Sequence, residues 1–484
     1  MSSLPDQSTA LPWHQRFGPA IAAVLCLFLF YYRGLDCWFY QDDFGWLSIG
    51  PAHNFKDLLT IAFAPKAHGN LRPWSENLYF YVLKAIFGIN PLPFRIVVFL
   101  TVSANLFLLN AIARRLTGSV WGGATTTFCW LLNPCVAPAF CWTCIYNQPQ
   151  SLCFILSAFL LFLKGRERAA AIVFVVGLGS LETVVMYPLL VSAYTLLFDR
   201  SRFLRTLPLY AGSFAFTLIH FLVAPVYKTG PYAIRIDRRI FHTLATYIEM
   251  VVGPERFNHF FWDWPKTLFV VATTILCAAV LLAMMLRDNK REPPSFGNRT
   301  AVFGVAWFLI LLGPLLLLPD HIMDYTLVGP AVGFALVLGA MVSARKAIGI
   351  PIAILYLAFV IPASWHVMRW NWERSHIARD LVQGVLRFKR ANPDKTLLLT
   401  GMDTDQFWAG FADLPFHAHG YDDVWLAPGA ESNIHDNGIL APRMVWTREK
   451  SYPLLDSGKA MVLDVAGGQV HDVTAQYQAN RPRN

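Results

Sequence analysis

Gln41-Asp42-Asp43-Phe44 sets two adjacent carboxylates a few residues beyond the end of the first long apolar run. Side by side near a low-dielectric surface they repel each other, which raises at least one pKa, so that one can serve as a base or both can face a cation. A solvated loop, or the N-cap of a following helix, would use the same residues differently. His68-Gly69-Asn70-Leu71-Arg72-Pro73-Trp74 follows. Its guanidinium fork matches phosphate oxygens and keeps its charge near lipid, while Arg and Trp together also anchor chains at a membrane interface. Glu182 sits between apolar runs in GLGSLETVVMYP, where an unpaired mid-membrane carboxylate costs about 3 kcal/mol, so it is expected to line a cavity or the mouth of a bundle. The neighbouring Gly177-x-Gly179 lacks the third glycine and the strand of a dinucleotide site and suits close helix packing. Tyr146, Asn147, Gln148 and Gln150 offer hydrogen bonds to a hydroxyl-rich ligand, or are interfacial residues. Asp320, His321, Asp324 and Tyr325 crowd one turn, without the helical spacing of a specific metal motif. Lys228, Arg235, Arg238 and Arg239 form a basic stretch that can neutralise a lipid phosphate or simply be solvated. Cys141-Trp142-Thr143-Cys144 has CxxC spacing without the context of a thioredoxin unit; an oxidising compartment would allow a local disulfide.

These residues must be carried by a membrane bundle. Of 484 residues, 55% are hydrophobic and only 15% charged, against about 25% charged in soluble proteins. Apolar runs predict about eleven transmembrane helices (ten to twelve), near 17–34, 92–113, 118–135, 149–163, 168–180, 183–198, 206–226, 266–286, 301–318, 327–344 and 347–364. The first run is followed by Arg33, Asp36 and aromatics rather than a small-residue cleavage site, and is read as a retained span. The net charge of +9 resides in short loops, at Arg114 and Arg115, Lys164 to Arg168, Arg200 to Arg205, Arg287 to Arg299, and Arg345 with Lys346. The opposite connections, Val136 to Gln148, Ser180 to Glu182 and Pro319 to Thr326, carry no Lys or Arg. The basic excess therefore orients the chain, N-terminus in the cytoplasm, and is not a sign of nucleic-acid binding. No Walker A sequence marks an ATP-driven pump. Residues 1–365 form the membrane domain, with long outside loops near 34–91, where Ser75 to Phe87 reads as an interfacial amphipathic helix, and near 227–265. Residues 366–484 lose the hydropathy of the spans and read as a small C-terminal soluble α/β domain, outside by parity of spans: a helix through Lys389, short apolar runs at Thr396 to Thr400 and Asp423 to Leu426, and a Gly467-Gly468 turn after Met461 to Val465.

The acidic pair Asp42-Asp43, the step Arg72-Pro73 followed by LYFYVLKAIFGINPLPFRIVVFLTVSANLFLLNAIARRL, the segment GSLETVVMYP and the turn HIMDYTLVGP resemble the polytopic GT-C glycosyltransferases that use polyprenyl-phosphate sugars. That family includes protein mannosyltransferases and the bacterial aminoarabinose and lipopolysaccharide sugar transferases; the resemblance covers about the first 340 residues. It implies a GT-C-like fold and transfer of a single sugar from a polyprenyl-phosphate donor to a glycan, lipid or protein acceptor, at the outer face of a bacterial inner membrane. It implies that Asp42 or Asp43 is the catalytic base, and that Arg72, Arg95, Lys228, Arg235, Arg238 and Arg239 hold the donor phosphate. His68, Tyr146, Gln148, Glu182, His321, Asp324 and Tyr325 would face sugar or acceptor. The family is divided over metal use: no cofactor is required, and the acidic pair would permit Mg²⁺ or Mn²⁺. No WWD-type signature occurs in the C-terminal domain, which disfavours en bloc transfer of an oligosaccharide to Asn. A polyprenyl-lipid transporter or an envelope-assembly scaffold would also explain many spans, although inverted repeats are not evident and ionisable groups crowd one face.

Overall fold

The computed structural model of the chain describes residues 12–65, 70–223, 227–252, 296–435 and 444–480. The expected site residue His68, the expected span 266–286 and the basic residues Arg287, Lys290 and Arg291 lie outside the described residues. The membrane part consists of helices α1 (Trp13–Phe30), α2 (Asp43–Leu47), α3 (Phe55–Phe63), α4 (Leu78–Phe87), α5 (Pro91–Thr117), α6 (Val120–Leu131), α7 (Pro138–Cys141), α8 (Asn147–Leu163), α9 (Glu167–Gly177), α10 (Tyr187–Phe198), α11 (Leu207–Val223), α12 (Arg239–Val252), α13 (Phe296–Leu312), α14 (Ala331–Ala344) and the long α15 (Lys346–Ala391). Short 3-10 turns join several of them, including Thr143–Tyr146, Glu182–Met186 and Asp324–Val328.

Among the described residues six helical stretches are long and apolar enough to cross a bilayer: Trp13–Phe30, Pro91–Thr117, Thr143–Leu163, Arg200–Val223, Asn298–Leu317 and Lys346–Ala391. Four expected spans are shorter as helices, 183–198 and 327–344 holding the α-helices Tyr187–Phe198 and Ala331–Ala344. Within 118–135 regular helix is confined to Val120–Leu131, before Asn133-Pro134, and within 168–180 it ends at Gly177. The boundaries have local causes. Asn90 caps α5 by accepting from Leu92 N–H, with Pro91 opening the first turn, and Gly118 in the left-handed region ends it. Ser119 then caps α6 through Gly122 N–H.

Small residues set the closest helix contacts. A Cβ on Gly304 of α13 would stand 2.6 Å from the Gly333 carbonyl oxygen of α14, so these backbones approach to a distance only glycine allows. Gly34 plays the same part between the first loop and α7, where a Cβ would lie 2.7 Å from Phe140 O. Apolar side chains on the outer faces of α1, α5 and α11, such as Leu25, Leu29, Leu100, Phe214 and Leu222, are exposed, as a lipid-facing surface requires.

Helix α15 runs without a break through residue 365, where sequence hydropathy places the division between membrane and C-terminal parts. Its second half packs on α16 (Thr404–Gly410) and belongs structurally to the following unit. That unit holds a four-stranded sheet in the order β2-β1-β3-β4, built from β1 (Thr396–Thr400), β2 (Val424–Leu426), β3 (Ala460–Asp464) and β4 (His471–Asp472). The first three strands are parallel, with Leu398 opposite both Trp425 and Val462, and β4 pairs antiparallel with β3. Helices α17 (Pro415–Ala418), α18 (Arg448–Asp456) and α19 (Thr474–Ala479) complete it.

Candidate active site

The loop that follows α1 is pinned before it reaches its acidic pair. Arg95, buried in α5, donates to the carbonyls of Cys37 (3.3 Å) and Trp38 (3.1 Å), and Tyr40 donates its hydroxyl to Asn371 Oδ1 at 2.6 Å. The chain then turns sharply at Gln41, whose φ of 51° is left-handed, and the Gln41 N–H donates to Ala409 O of the C-terminal unit at 2.8 Å. Asp42 and Asp43 start α2 and, as successive helical residues, point in different directions. Asp43 turns inward and is fully buried, its Oδ2 accepting from Tyr40 N–H (3.2 Å) and its Oδ1 from Cys144 N–H (2.6 Å). Burial pushes the Asp43 carboxyl up to about 7, against the pull of the Arg95 guanidinium and of these two N–H donors. Asp42 turns outward to the cavity, and the Cys144 thiol lies 3.9 Å from its Oδ2. It occupies the N-cap position of α2 but makes no side-chain cap bond, so the capping use of this residue is not realised.

The second half of the site forms because two short motifs dock. Trp74 N–H donates to Gly179 O (3.1 Å), the Trp74 indole to Val176 O (2.7 Å) and the Ser75 hydroxyl to Ser180 O (2.5 Å). A Cβ on Gly179 would lie 2.9 Å from Pro73 Cγ and closer still to the Trp74 indole nitrogen, and one on Gly177 would lie 2.7 Å from Phe154 of α8. The Gly-x-Gly spacing thus serves close packing, with the first loop as well as with a helix. This seam delivers Arg72 to Glu182: Arg72 Nε lies 3.0 and 2.9 Å from its two oxygens and Nη2 2.7 Å from Oε2. On its other side Arg72 Nη1 meets Glu76 Oε1 at 2.5 Å, and Asn147 Nδ2 donates to the same oxygen at 2.8 Å. Glu76, only 2% exposed, escaped sequence reasoning; its position four residues after Arg72 on a helical turn is the signal that could have found it. Burial raises the Glu76 carboxyl pKa despite the adjacent Arg72.

Both halves open on one cavity of about 820 Å³, in the range of small-ligand sites. Of the expected residues, Asp42, Arg72, Gln148, Glu182, His321 and Tyr325 line it. Several others do not. Asp43 and Arg95 are buried supports of the loop, and Tyr146 is a core residue stacked on Tyr79, with its hydroxyl on Thr101 at 3.1 Å. Asp324 accepts from its neighbour's backbone, Tyr325 N–H, at 2.9 Å. Lys228 and Arg238 are exposed away from the cavity, Arg235 N–H donates to Leu317 O, and Arg239 is ion-paired at the surface with Asp237 and Asp320. None of the four lines the cavity in this arrangement: Arg239 meets two carboxylates, and the Nε of Arg235 is buried with no hydrogen-bond partner among the described residues. Cys141 and Cys144 are free thiols, Cys141 directed at Met368 O and Cys144 at Asp42.

The cavity adds residues that spacing alone did not single out, including Glu76, His220, Tyr232 and, from the C-terminal unit, Asp413, and it takes in Asn147 of the polar connection. Four carboxyl side chains (Asp42, Glu76, Glu182, Asp413) thus line the cavity with one guanidinium, Arg72, which is paired with Glu76 and Glu182, and with His220 and His321 as the other basic groups. Among the described residues no cluster of three or more His, Cys, Asp or Glu side chains is arranged to hold a metal ion. Apolar residues line the cavity as well, among them Val185, Phe216, Phe221, Leu315, Leu317 and Leu318, and Phe221 also belongs to the exposed face of α11 with Leu218 and Leu222.

No protein-family model and no curated protein matches the chain. Among solved structures it is similar to the crystal structure of ArnT from Cupriavidus metallidurans bound to undecaprenyl phosphate, at 14% sequence identity and a TM-score of 0.46, over 96% of this chain and 94% of that one. The functional reading rests on the cavity and its side chains.

Proposed function

We propose that the chain is a membrane glycosyltransferase of the GT-C kind, which moves one sugar from a polyprenyl-phosphate donor to a hydroxyl acceptor at the outer face of the membrane. The observation that carries this reading is a single cavity lined by a carboxylate, Asp42, by the Arg72 cluster, and by apolar residues of which Phe221 belongs to the exposed face of α11. A lipid phosphate has these same two parts. Its isoprenoid tail would lie along Phe216, Phe221 and the leucines of 315–318, while its phosphate would reach Arg72. Arg72 is held by Glu76 and Glu182 through Nε and one contact on each terminal nitrogen, which leaves one hydrogen on each of those nitrogens for a ligand oxygen.

In the transfer, the acceptor hydroxyl oxygen forms a bond to the anomeric carbon as the bond from that carbon to the phosphate oxygen breaks, its electron pair leaving with the phosphate. The hydroxyl proton passes to Asp42, the exposed carboxylate of the pair. General-base help of this kind is worth about 10²–10⁴-fold, and Arg72 offsets the charge that grows on the departing phosphate. Asp43 acts earlier, holding Cys144 and Tyr40 N–H and so fixing where Asp42 points. Gln148 and Tyr325, on the cavity wall, would hydrogen-bond sugar or acceptor.

Mass spectrometry of envelope glycolipids, glycans and glycoproteins tests this in cells carrying wild-type protein, a deletion, or Asp42→Asn at matched protein level. Loss of the same sugar in the deletion and in Asp42→Asn is the expected result, and the missing mass names donor and acceptor. A deletion phenotype fully rescued by Asp42→Asn would exclude the transferase mechanism.

A further inference from the structure

The C-terminal unit reaches the cavity at one place. Beyond Ala409, whose carbonyl receives the Gln41 N–H, its chain passes through Asp413, which lines the cavity with Asp42, and α17 packs against α2. Among the described residues only two non-glycine residues adopt a left-handed backbone, Gln41 at φ 51° and Leu414 at φ 53°. One precedes Asp42 and the other follows Asp413. Such conformations cost roughly 1–3 kcal/mol each and persist where surrounding packing imposes them. Two of the residues that line the cavity also carry buried, unpartnered acceptors. Oε2 of the deeply buried Glu76 and Oδ1 of Asn147, 5% exposed, have no hydrogen-bond partner among the described residues.

We propose that Asp413 is a further carboxylate of this site, set beside Asp42 by the docked C-terminal unit and governing how readily the cavity accepts an anionic lipid phosphate. The inference rests on the transferase reading above and deepens it. It makes Asp413 a positioning residue, acting through the charge of the site, and makes the C-terminal unit part of the catalytic structure.

Burial first, and then the Asp42 charge, push the Asp413 carboxyl up to about 7. Near pH 7 the Asp413 carboxyl is therefore about half protonated. The ionisable groups that line the cavity with Asp42 and Asp413 are the Arg72, Glu76 and Glu182 cluster, His220 and His321, and Tyr232, Tyr325 and Cys144. Below about pH 7 Asp413 is neutral and Arg72 can attract a phosphate; above it the cavity gains one negative charge and phosphate binding weakens.

The test titrates purified full-length protein in detergent with farnesyl phosphate, a short isoprenoid monophosphate, followed by tryptophan fluorescence, since Trp46 lines the cavity. Wild type and Asp413→Asn are compared at pH 6 and pH 8. The ratio of their affinities is read, so that the ionisation of the phosphate itself cancels. At pH 8 Asp413→Asn is expected to bind about fivefold more tightly than wild type, the effect of one like charge removed at close range in a solvated site, and at pH 6 the two should agree. Equal affinities at both pH values would overturn the inference. Should Asp413→Asn not fold, Asp413→Glu keeps the charge on a longer arm and should move the alkaline weakening along the pH axis; a curve superimposable on wild type overturns the inference as well. These outcomes separate from the parent reading. Loss of the sugar in Asp42→Asn cells together with a pH-insensitive affinity ratio removes only the role of Asp413, whereas absence of farnesyl phosphate binding by wild type removes both.

Discussion

Two neighbouring aspartates show how far one residue step can separate roles. Asp42 and Asp43 are indistinguishable as letters, yet one helical step turns Asp43 into the core, where it holds two backbone N–H groups, and leaves Asp42 on the cavity. Asp42→Asn is expected to lower turnover about 10²–10⁴-fold with its melting temperature in detergent unchanged. Asp43→Asn should instead destabilise by about 1–3 kcal/mol, because its amide nitrogen cannot accept from one of those N–H groups; thermal unfolding of the two variants side by side distinguishes them. The pH dependence of stability follows from the same burial. The carboxyls of Asp43 and Asp413 are both pushed up to about 7, against about 3.9 in an unfolded chain. Between those values the folded state binds more protons than the unfolded one, so stability falls as pH rises from about 4 to about 7 and then levels off. Asp413→Asn should make that decline shallower in unfolding measured across this range.

At the scale of elements, the site depends on a seam between a loop and a helix end. The Trp74 and Ser75 bonds to Val176, Gly179 and Ser180 set Arg72 between Glu76 and Glu182, and Gly179 is required because its missing Cβ is the space the Trp74 indole occupies. Gly179→Ala should therefore destabilise by about 1–3 kcal/mol and lower transfer, whereas Gly50→Ala, with open space around its Cβ position, should do neither. Removing the guanidinium has a further consequence. Arg72→Ala strands buried Glu76 and should cost about 3–5 kcal/mol, partly recovered in Arg72→Ala with Glu76→Gln; unfolding midpoints of the single and double variants measure the recovery. The Arg-Glu spacing within the first loop was readable, but the pairing of Arg72 with Glu182 spans 110 positions and arises only when the two motifs meet.

For the whole molecule, the distribution of Lys and Arg predicts sidedness, and labelling tests it. In intact cells an impermeant thiol reagent should modify Gln469→Cys, exposed on the C-terminal unit, and spare Arg166→Cys, exposed in a basic connection. The background is a variant in which the native cysteines are replaced. The reverse pattern would invert the assigned orientation. Composition and hydropathy determined a helical membrane chain, an α/β tail and the segments that hold Asp42, Arg72 and Glu182, because all of these follow from local apolar runs, charge and spacing. Tertiary structure alone decided which ionisable residues face one another. Helix direction sends Asp42 and Asp43 opposite ways, and surface carboxylates capture Arg239 before it reaches the cavity. The docked C-terminal unit brings Asp413 beside Asp42, 371 positions earlier in the chain (413 − 42). Burial and long-range electrostatics are properties of that arrangement, and no local window of the chain contains them.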